Sequence, residues 1–280
     1  MRLGSIQFIN SLPVDGGLLS GEIPFSGQVI QGSPVDLNEK ILRGELDVSP
    51  VSALWYGMYQ DRFTLLPSLS ISSESAAQSV LLFSRKPLEL LKNGSRVIFS
   101  GKGRTTPALL EIICRLRYGV KPVIETAPIK GYVLPPDADA MLVIGDEALL
   151  AYQQLKSGTL KVTDLAQEWY VWTGLPIVFA VWAVRKDVYA KDAQGVHKAH
   201  EAILRSKQWG AAHLDWVLDE SERRSELPRQ ILRAYFSALS YDFSERSKKG
   251  MTRYMECARE CGLIGSVPVL DEIKENVTSQ

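Results

Sequence analysis

Residues 1–13 read Met1-Arg2-Leu3-Gly4-Ser5-Ile6-Gln7-Phe8-Ile9-Asn10-Ser11-Leu12-Pro13. The stretch begins as an apolar alternating strand, predicted at Leu3–Ile9, and passes directly into a polar turn. Asn10 or Ser11 can cap a following helix, and Pro13 is tolerated in its first turn. A strand that feeds a helix N-terminus directs backbone N–H groups and a positive dipole end away from the sheet. We therefore predict an anion site at this junction.

Strands and helices then alternate along the chain, which predicts an α/β fold with largely parallel sheets. The remaining predicted strands are Ser26–Gln31, Leu46–Pro50, Phe63–Ile71, Gln78–Phe83, Arg96–Ser100, Pro122–Thr126, Ala140–Ile144 and Ile177–Val184. The intervening helices are predicted at Ser33–Arg43, Ser52–Tyr59, Ala108–Tyr118, Gly145–Leu155 and Asp164–Thr173. From Asp187 to about Gly262 the pattern is helical, with apolar three-and-four spacing over Arg223–Ser240 and Ser244–Gly262.

This order predicts two lobes, one inserted in the other. Residues 1–83 with 182–280 would form the first lobe, and residues 84–181 the second. Chain crossings near Phe83–Arg85 and Phe179–Trp182 predict a hinge, and the cleft between the lobes is the expected ligand site.

Composition excludes several classes of protein. The 280 residues include 32 basic and 32 acidic side chains, and this zero net charge argues against nucleic-acid binding. The zero net charge also favours capture of an anion by amides and hydroxyls over arginine side chains.

No apolar run reaches the roughly 18 residues of a membrane helix, and residues 1–13 lack the features of a secretion signal. We expect a cytoplasmic protein with buried, reduced cysteines at 114, 257 and 261. Self-association is left open.

Polar residues at strand–helix junctions are the candidates for chemistry. The glycine-rich loop at 101–107 lacks the phosphate-binding and dinucleotide-binding patterns, so Thr105 and Thr106 either cap the next helix or donate to a carboxylate. Ser79 either satisfies a neighbouring backbone group or lies where the lobes meet. Asp146, after Gly145, either caps its own helix or lines the cleft. His197, His200 and His213 lie in the late helical region, away from these junctions. The sequence therefore indicates neither a catalytic triad nor a metal cluster.

Several blocks together resemble a known family. They include Ile9-Asn10-Ser11-Leu12-Pro13, Gly32-x-Pro34-x-x-Leu37-Asn38, Ser79-Val80-x-Leu82-x-Ser84, Ile144-Gly145-Asp146-x-Ala148-Leu149 and Thr173-Gly174-Leu175-Pro176-x-Val178-Phe179-Ala180-x-Trp182. In this order and spacing the chain resembles the chorismate dehydratases of the futalosine route to menaquinone, over nearly its whole length.

The resemblance implies a periplasmic-binding-protein-like (type II) fold with two α/β lobes, a hinge and a cleft. It implies dehydration of chorismate to 3-[(1-carboxyvinyl)oxy]benzoate, without a metal or an organic cofactor. Asn10 and Ser79 match the main active-site positions. The substrate contacts expected beside them are Ser11, Ser52, Thr105, Thr106, Gly145 and Asp146.

The sequence departs from the family pattern at the second-lobe helix, where Gly103-Arg104-Thr105-Thr106 replaces Ser-x-Thr-Ser. Thr106 keeps one hydroxyl, and Ser52 stands alone where the family often has two serines. The general base stays open between Asp146 and the enolpyruvyl carboxylate of the substrate itself. Two other functions also stay open. One is a solute-binding protein for a small anion, and the other is the sister enzyme that releases 1,4-dihydroxy-6-naphthoate from cyclic dehypoxanthine futalosine.

Overall fold

The computed structural model describes residues 1–155 and 158–274. Within these ranges, ten strands form two five-stranded sheets. The first sheet has the spatial order β2 (Gln28–Gly32), β1 (Arg2–Ile6), β3 (Val48–Ser52), β10 (Ile177–Arg185), β4 (Phe63–Ser73). The second has the order β7 (Val123–Thr126), β6 (Arg96–Phe99), β8 (Ala140–Ile144), β5 (Val80–Ser84), β9 (Lys161–Asp164).

Helices cover both sheets, and a helical region follows the last strand. The helices between strands are α1 (Leu12–Leu19), α2 (Pro34–Leu42), α3 (Ala53–Tyr59), α4 (Thr105–Ile112), α5 (Asp146–Leu155) and α6 (Leu165–Thr173). The later ones are α7 (Lys186–Lys191), α8 (Ala193–Ala212), α9 (Leu214–Ser225), α10 (Arg229–Ala238) and α11 (Glu245–Glu260). The α/β class and the two-sheet architecture expected from the sequence are therefore confirmed.

The sheets are mixed, so the expectation of largely parallel sheets is wrong. In each sheet one strand is reversed: β10 runs antiparallel to β3 and β4, and β5 runs antiparallel to β8 and β9. These are the strands that the chain enters when it passes from one sheet to the other. Two neighbouring parallel strands must be joined by a crossover connection. A strand that the chain enters from the other sheet has no such connection to its neighbours, so it is free to run antiparallel to them. An apolar run in the sequence carries no information about strand direction, which explains the error.

Two local expectations also fail. Strand β9 was not predicted, because its four residues, Lys-Val-Thr-Asp, form a sheet edge and contain one apolar side chain. The continuous helix expected over Arg223–Ser240 is broken. Glu226 takes the left-handed conformation with φ of 58°, and Pro228 stands at the N-cap of α10. The missing N–H and fixed φ of proline suit the start of a helix better than its interior.

The chain passes between the sheets twice. It leaves the first sheet after Ser73 and enters the second at Val80; it leaves the second after Asp164 and returns at Ile177. Residues 80–83, which the sequence assigned to the first lobe, therefore pair within the second sheet. The lobe boundaries themselves stay a prediction.

Direct hydrogen bonds hold the two halves together. The Ile9 N–H donates to Asp146 Oδ2 at 3.4 Å, and the Tyr254 hydroxyl donates to the Thr105 carbonyl at 3.1 Å. A third bond runs from Arg115 Nη1 to the Cys261 carbonyl at 2.7 Å. Turns and helices of the two halves are therefore joined directly, far from the strands through which the chain passes between the sheets.

The cysteines and histidines lie in structural positions. Cys114, Cys257 and Cys261 are buried and free, as expected. His200 Nε2 contacts the Pro67 carbonyl oxygen at 2.9 Å. Burial lowers the pKa of the His200 imidazole. His213 stacks on Trp209.

None of the described helices has the length and apolarity needed to cross a membrane.

The close contact between α8 and α1 generates a stability prediction. A Cβ on Gly210 would overlap the carbonyl oxygen of Pro13. Alanine inside a helix normally gains about 1 kcal/mol over glycine, but overpacking against a backbone atom costs about 1–3 kcal/mol. Because the clashing atom is backbone and cannot move aside as a flexible side chain can, the cost should lie at about 2–3 kcal/mol, and we expect Gly210→Ala to lower the free energy of unfolding by about 1–2 kcal/mol in urea denaturation. Gly265→Ala, where a Cβ meets open space, is the matched control. A Gly210→Ala variant as stable as the control would contradict this packing.

Candidate functional site

A cleft of about 870 Å³, including its open mouth, lies between the two sheets. Its walls are largely apolar, with a small number of polar groups, as in most small-molecule sites. The first sheet and its helices contribute Ile6, Phe8, Asn10, Pro34, Val35, Asn38, Pro50, Ser52, Ile71, Phe179, Ala180 and Leu239. Ser79 and Val80, Phe99, residues 102–106 and Ile144-Gly145 complete the lining.

Six of the eight expected site residues line this cleft: Asn10, Ser52, Ser79, Thr105, Thr106 and Gly145. The side chains of Ser11 and Asp146 lie outside the lining. Ser11 is fully buried, and its hydroxyl donates to the carbonyls of Ile6 at 2.6 Å and Phe8 at 3.2 Å. Ser11 thus fixes the turn that carries Asn10, and the expectation that its side chain caps α1 is wrong.

Asn10 projects from the single 3-10 turn at Ile9–Ser11, between β1 and α1. Its Oδ1 atom is buried and finds no hydrogen-bond partner in the described part of the chain. The strand–helix junction predicted from the first thirteen residues therefore does supply a polar group to the cleft.

Ser79 stands one residue before β5, at the point where the chain has just reached the second sheet. The preceding Gln78 has a φ of 61°, a conformation that residues with a Cβ adopt at a cost. Two contacts hold this corner: the Gln78 N–H donates to Asp164 Oδ2 at 2.6 Å, and the Ser79 carbonyl accepts from the Gly145 N–H at 2.8 Å. The corner places a 5 % exposed Ser79 side chain on the cleft wall.

The glycine-rich loop brings the N-terminus of α4 to the cleft. Arg104 is the N-cap residue, without a side-chain capping bond. The Thr105 hydroxyl is buried and has no hydrogen-bond partner within residues 1–155 and 158–274. Of the two interpretations left open for this loop, capping by Thr105 is therefore not observed. A helix N-terminus with an adjacent free hydroxyl is suited to bind a carboxylate.

Two cations at the cleft rim were missed by the sequence analysis. Lys102 and Arg104 are exposed and line the cleft, while the described lining contains no Asp or Glu. The zero net charge of the chain concealed this local excess of positive charge, which attracts anions to the cleft. Asn38 was also missed; its Nδ2 donates to Ser52 Oγ at 3.1 Å, which holds the Ser52 hydroxyl on the cleft wall.

Gly145 lines the cleft after β8 of the second sheet, and Asp146 follows it outside the lining. Gly145 has a φ of 65°, and a Cβ there would stand 3.6 Å from the Phe8 ring. Asp146 turns toward the first sheet, where its Oδ2 accepts from the Ile9 N–H. Its Oδ1 is buried without a hydrogen bond from any described residue. Burial raises the pKa of this carboxyl to about 6.

The fold is that of a periplasmic-binding-protein-like protein with two α/β lobes. The structure matches a protein of Archaeoglobus fulgidus with a TM-score of 0.74 at 19% identity, covering 94% of this chain and 98% of that one. It also matches the periplasmic aliphatic sulphonate binding protein of Escherichia coli with a TM-score of 0.69 at 11% identity, covering 100% and 95%. These likenesses establish the two-lobed fold expected from the sequence.

The chain belongs to the menaquinone biosynthesis family, whose sequence profile matches residues 1–260. It is 29% identical over 242 residues to a chorismate dehydratase of Thermus thermophilus, covering 82% of this chain and 86% of the relative. It is 28% identical over 277 residues to a 1,4-dihydroxy-6-naphthoate synthase of the same species, covering 96% and 97%. The family resemblance is thus confirmed, and the chain is an enzyme of menaquinone biosynthesis.

The buried Asp146 carboxyl generates a pH prediction. Folding raises its pKa from the ordinary 3.8 to about 6, so the folded state favours the protonated form. The contribution of Asp146 to the free energy of unfolding therefore falls as pH rises from about 4 through about 6. Asp146→Asn is neutral throughout and should be about 1–3 kcal/mol more stable than wild type at pH 7.5, with a smaller gain at pH 4.5.

Chemical denaturation at the two pH values measures this difference. Asp61→Asn, at an exposed position, is the control and should change stability by less than about 0.5 kcal/mol. A gain at Asp146 that is equal at both pH values would contradict the assignment.

Proposed function

We propose that the protein is a chorismate dehydratase, which removes water from chorismate to give 3-[(1-carboxyvinyl)oxy]benzoate. One observation carries the proposal: Asn10 and Ser79 line the same cleft as a helix N-terminus with two threonines and two cations. Chorismate presents two carboxylates and one hydroxyl, and the cleft supplies donors for all three. The 29% identity to a chorismate dehydratase supports the same assignment.

The reaction is an elimination that makes the ring aromatic, so the enzyme needs mainly to orient the substrate and stabilise charge. A proton leaves the ring carbon that bears the enolpyruvyl ether, and the electron pair moves toward the ring carboxylate. That pair then expels the hydroxyl from the neighbouring carbon, and the released hydroxide takes up a proton to become water.

We assign the roles as follows. The Asn10 amide donates to the ring carboxylate, where negative charge increases in the transition state. Ser79 donates to the leaving hydroxyl. Thr105, Thr106 and the α4 N-terminus hold the enolpyruvyl carboxylate, with Lys102 and Arg104 at the rim. Because Asp146 lies outside the cleft lining, we favour the enolpyruvyl carboxylate of the substrate as the base.

A second candidate is the sister reaction, release of 1,4-dihydroxy-6-naphthoate from cyclic dehypoxanthine futalosine. The observation that favours it is the alignment with the naphthoate synthase, which covers 96% of this chain against 82% for the dehydratase. Incubating the purified protein with each substrate, and following the products by absorbance and mass, separates the two. Chorismate recovered unchanged from a tight complex would instead favour a small-anion binding protein.

The assigned donors generate a kinetic prediction. Asn10→Ala and Ser79→Ala should each lower kcat for chorismate about 100-fold, the scale observed for loss of one charge-stabilising donor. Asn93→Ala and Ser237→Ala, at exposed positions outside the cleft, are matched controls and should keep wild-type kcat. Near-normal turnover in both cleft variants would remove the scheme.

The rim cations generate a second kinetic prediction. Exposed charge pairs contribute about 0.2–1 kcal/mol, so Lys102→Ala and Arg104→Ala should each raise KM about 1.5- to 5-fold with little change in kcat. A double variant combines Lys102→Ala with Arg104→Ala. Added salt should raise the KM of the wild type more than the KM of this variant, because salt screens the attraction between these cations and the anionic substrate. Lys249→Ala, an exposed lysine outside the lining, is the control. An unchanged salt dependence in the double variant would show that these cations do not attract the substrate.

A further inference from the structure

A paired contact between Asn38 and Ser52 lies on the cleft wall that the first sheet and its helices supply. Both residues line the cleft, and Asn38 is only 7 % exposed. The Ser52 N–H donates to Asn38 Oδ1 at 3.3 Å, and Asn38 Nδ2 donates to Ser52 Oγ at 3.1 Å. The Asn38 side chain has no other hydrogen-bond partner among the described residues, so a nearly buried amide is committed to a single serine.

The start of α2 sets the direction of Asn38. Ser33 is the N-cap residue, its Oγ accepts the Asp36 N–H at 3.3 Å, and Pro34 follows in the first turn. Asn38 lies one turn beyond Pro34 on the same face of the helix, and both line the cleft. The neighbouring Leu37 is fully buried in the core. Since rotation of α2 would bring this leucine into contact with water, the helix keeps Asn38 at the cleft.

Hydrogen-bonding capacity fixes which end of the Asn38 amide faces the Ser52 hydroxyl. The backbone N–H of Ser52 can only donate, so the amide atom that it meets must be the oxygen. The NH2 end then faces Ser52 Oγ and can only donate to it. Reversal of the amide would bring its NH2 group against the Ser52 N–H, which are two donors without an acceptor.

The Ser52 hydroxyl consequently keeps its hydrogen free. A serine hydroxyl has one hydrogen and two acceptor lone pairs, and the bond from Asn38 uses one lone pair. Ser52 stands at the N-cap of α3, but its side chain makes no capping bond, and no acceptor in the described part of the chain takes its hydrogen. On the cleft wall this hydrogen is available to an acceptor that enters the cleft.

The loop that precedes Thr105 lies against the helix that carries Asn38. A Cβ on Gly103 would stand 3.6 Å from Val35 Cγ2, and Val35 lies one turn before Asn38 on the cleft side of α2. The same loop carries the two rim cations. A carboxylate that enters beside this loop therefore meets donors of the second sheet and, from the first sheet, the Ser52 hydroxyl.

We propose that Asn38 is a positioning residue, which occupies a lone pair of Ser52 Oγ and so directs the Ser52 hydroxyl to donate to a carboxylate in the cleft. The proposal deepens the proposed function and rests on it for the identity of the substrate. In chorismate this group is the enolpyruvyl carboxylate, held by Thr105 and Thr106 from the second sheet and by Ser52 from the first. Because that carboxylate is charged before the reaction begins, KM should respond more than kcat.

Asn38→Asp tests the direction of the bond, because a carboxylate of the same shape accepts at both oxygens. It would still accept the Ser52 N–H, but it would draw the Ser52 hydrogen away from the cleft. At pH 8 we expect KM for chorismate to rise about 15- to 50-fold, through one lost bond to a charged group and one added repulsion, with kcat changed less than about 3-fold.

Asn93→Asp is the matched control. Asn93 Oδ1 also accepts a backbone N–H, from Lys121 at 2.7 Å, and the residue is exposed and lies outside the cleft lining. This variant adds the same charge and should keep the KM of the wild type. An Asn38→Asp variant that folds and matches this control in KM would contradict the proposal.

A Ser52→Ala background separates the hydroxyl from the added charge. Ser52→Ala alone should raise KM about 10-fold, the scale of one hydrogen bond to a charged group. The further change Asn38→Asp should then raise KM less than about 5-fold, because only the repulsion is left to act. An Asn38→Asp effect that is equally large in both backgrounds would overturn the proposal.

Neutron diffraction from deuterium-exchanged crystals of the ligand-free wild type separates this proposal from the proposed function. A deuterium on Asn38 Nδ2 should point at Ser52 Oγ, and the deuterium on Ser52 Oγ should point into the cleft. A Ser52 deuterium directed at Asn38 would overturn the proposal even if Asn38→Asp did not fold. If the wild type failed to convert chorismate, the expected deuterium positions would still support the positioning role, and only the substrate assignment would be lost.

Discussion

The packing of α10 against both halves of the molecule is the constraint on which the candidate site depends. Its buried face contacts an apolar cluster that contains Ile9, at the junction after β1, and Leu149, on the helix after β8. Burial of apolar surface is non-directional, so this cluster alone would not fix the orientation of polar groups. The Ile9–Asp146 hydrogen bond adds that direction. Together the apolar cluster and this hydrogen bond hold the polar groups at the ends of strands from both sheets around one cleft. These groups are far apart in sequence and close in space.

Much of the fold could be predicted from the sequence because local periodicity encodes it. The spacing of apolar residues predicts the positions of nine of the described strands. Capping residues predict helix starts, as at Asp164, whose Oδ1 accepts from the Ala166 N–H at 2.9 Å. Strand direction does not, since β5 and β10 read as ordinary buried strands and are reversed by the path of the chain between the sheets. Strand β9 and the break at Glu226 were missed because a short edge and one left-handed residue leave little periodic signal.

Prediction of the site followed a similar division. Asn10 and Ser79 lie at ends of strands, where an α/β fold exposes polar groups, and the family resemblance named them as well. The rim cations were concealed by a zero net charge, which sums over the chain and says nothing about one surface. Ser11 was assigned to the ligand, whereas backbone carbonyls take its hydroxyl.

The same two-lobed architecture serves binding proteins and this family of enzymes, so the difference must lie in which atoms face the cleft and how firmly they are held. A binding protein gains by satisfying every polar group of its ligand equally. An enzyme gains only from donors that interact more strongly with the transition state. In this cleft the Asn38 side chain holds the Ser52 hydroxyl, and the hydrogen bond from Gln78 to Asp164 fixes the corner that carries Ser79, so both groups are in place before charge develops. Asn10 Oδ1 and the Thr105 hydroxyl, which are buried without partners among the described residues at a cost to stability, are consistent with such preorganisation.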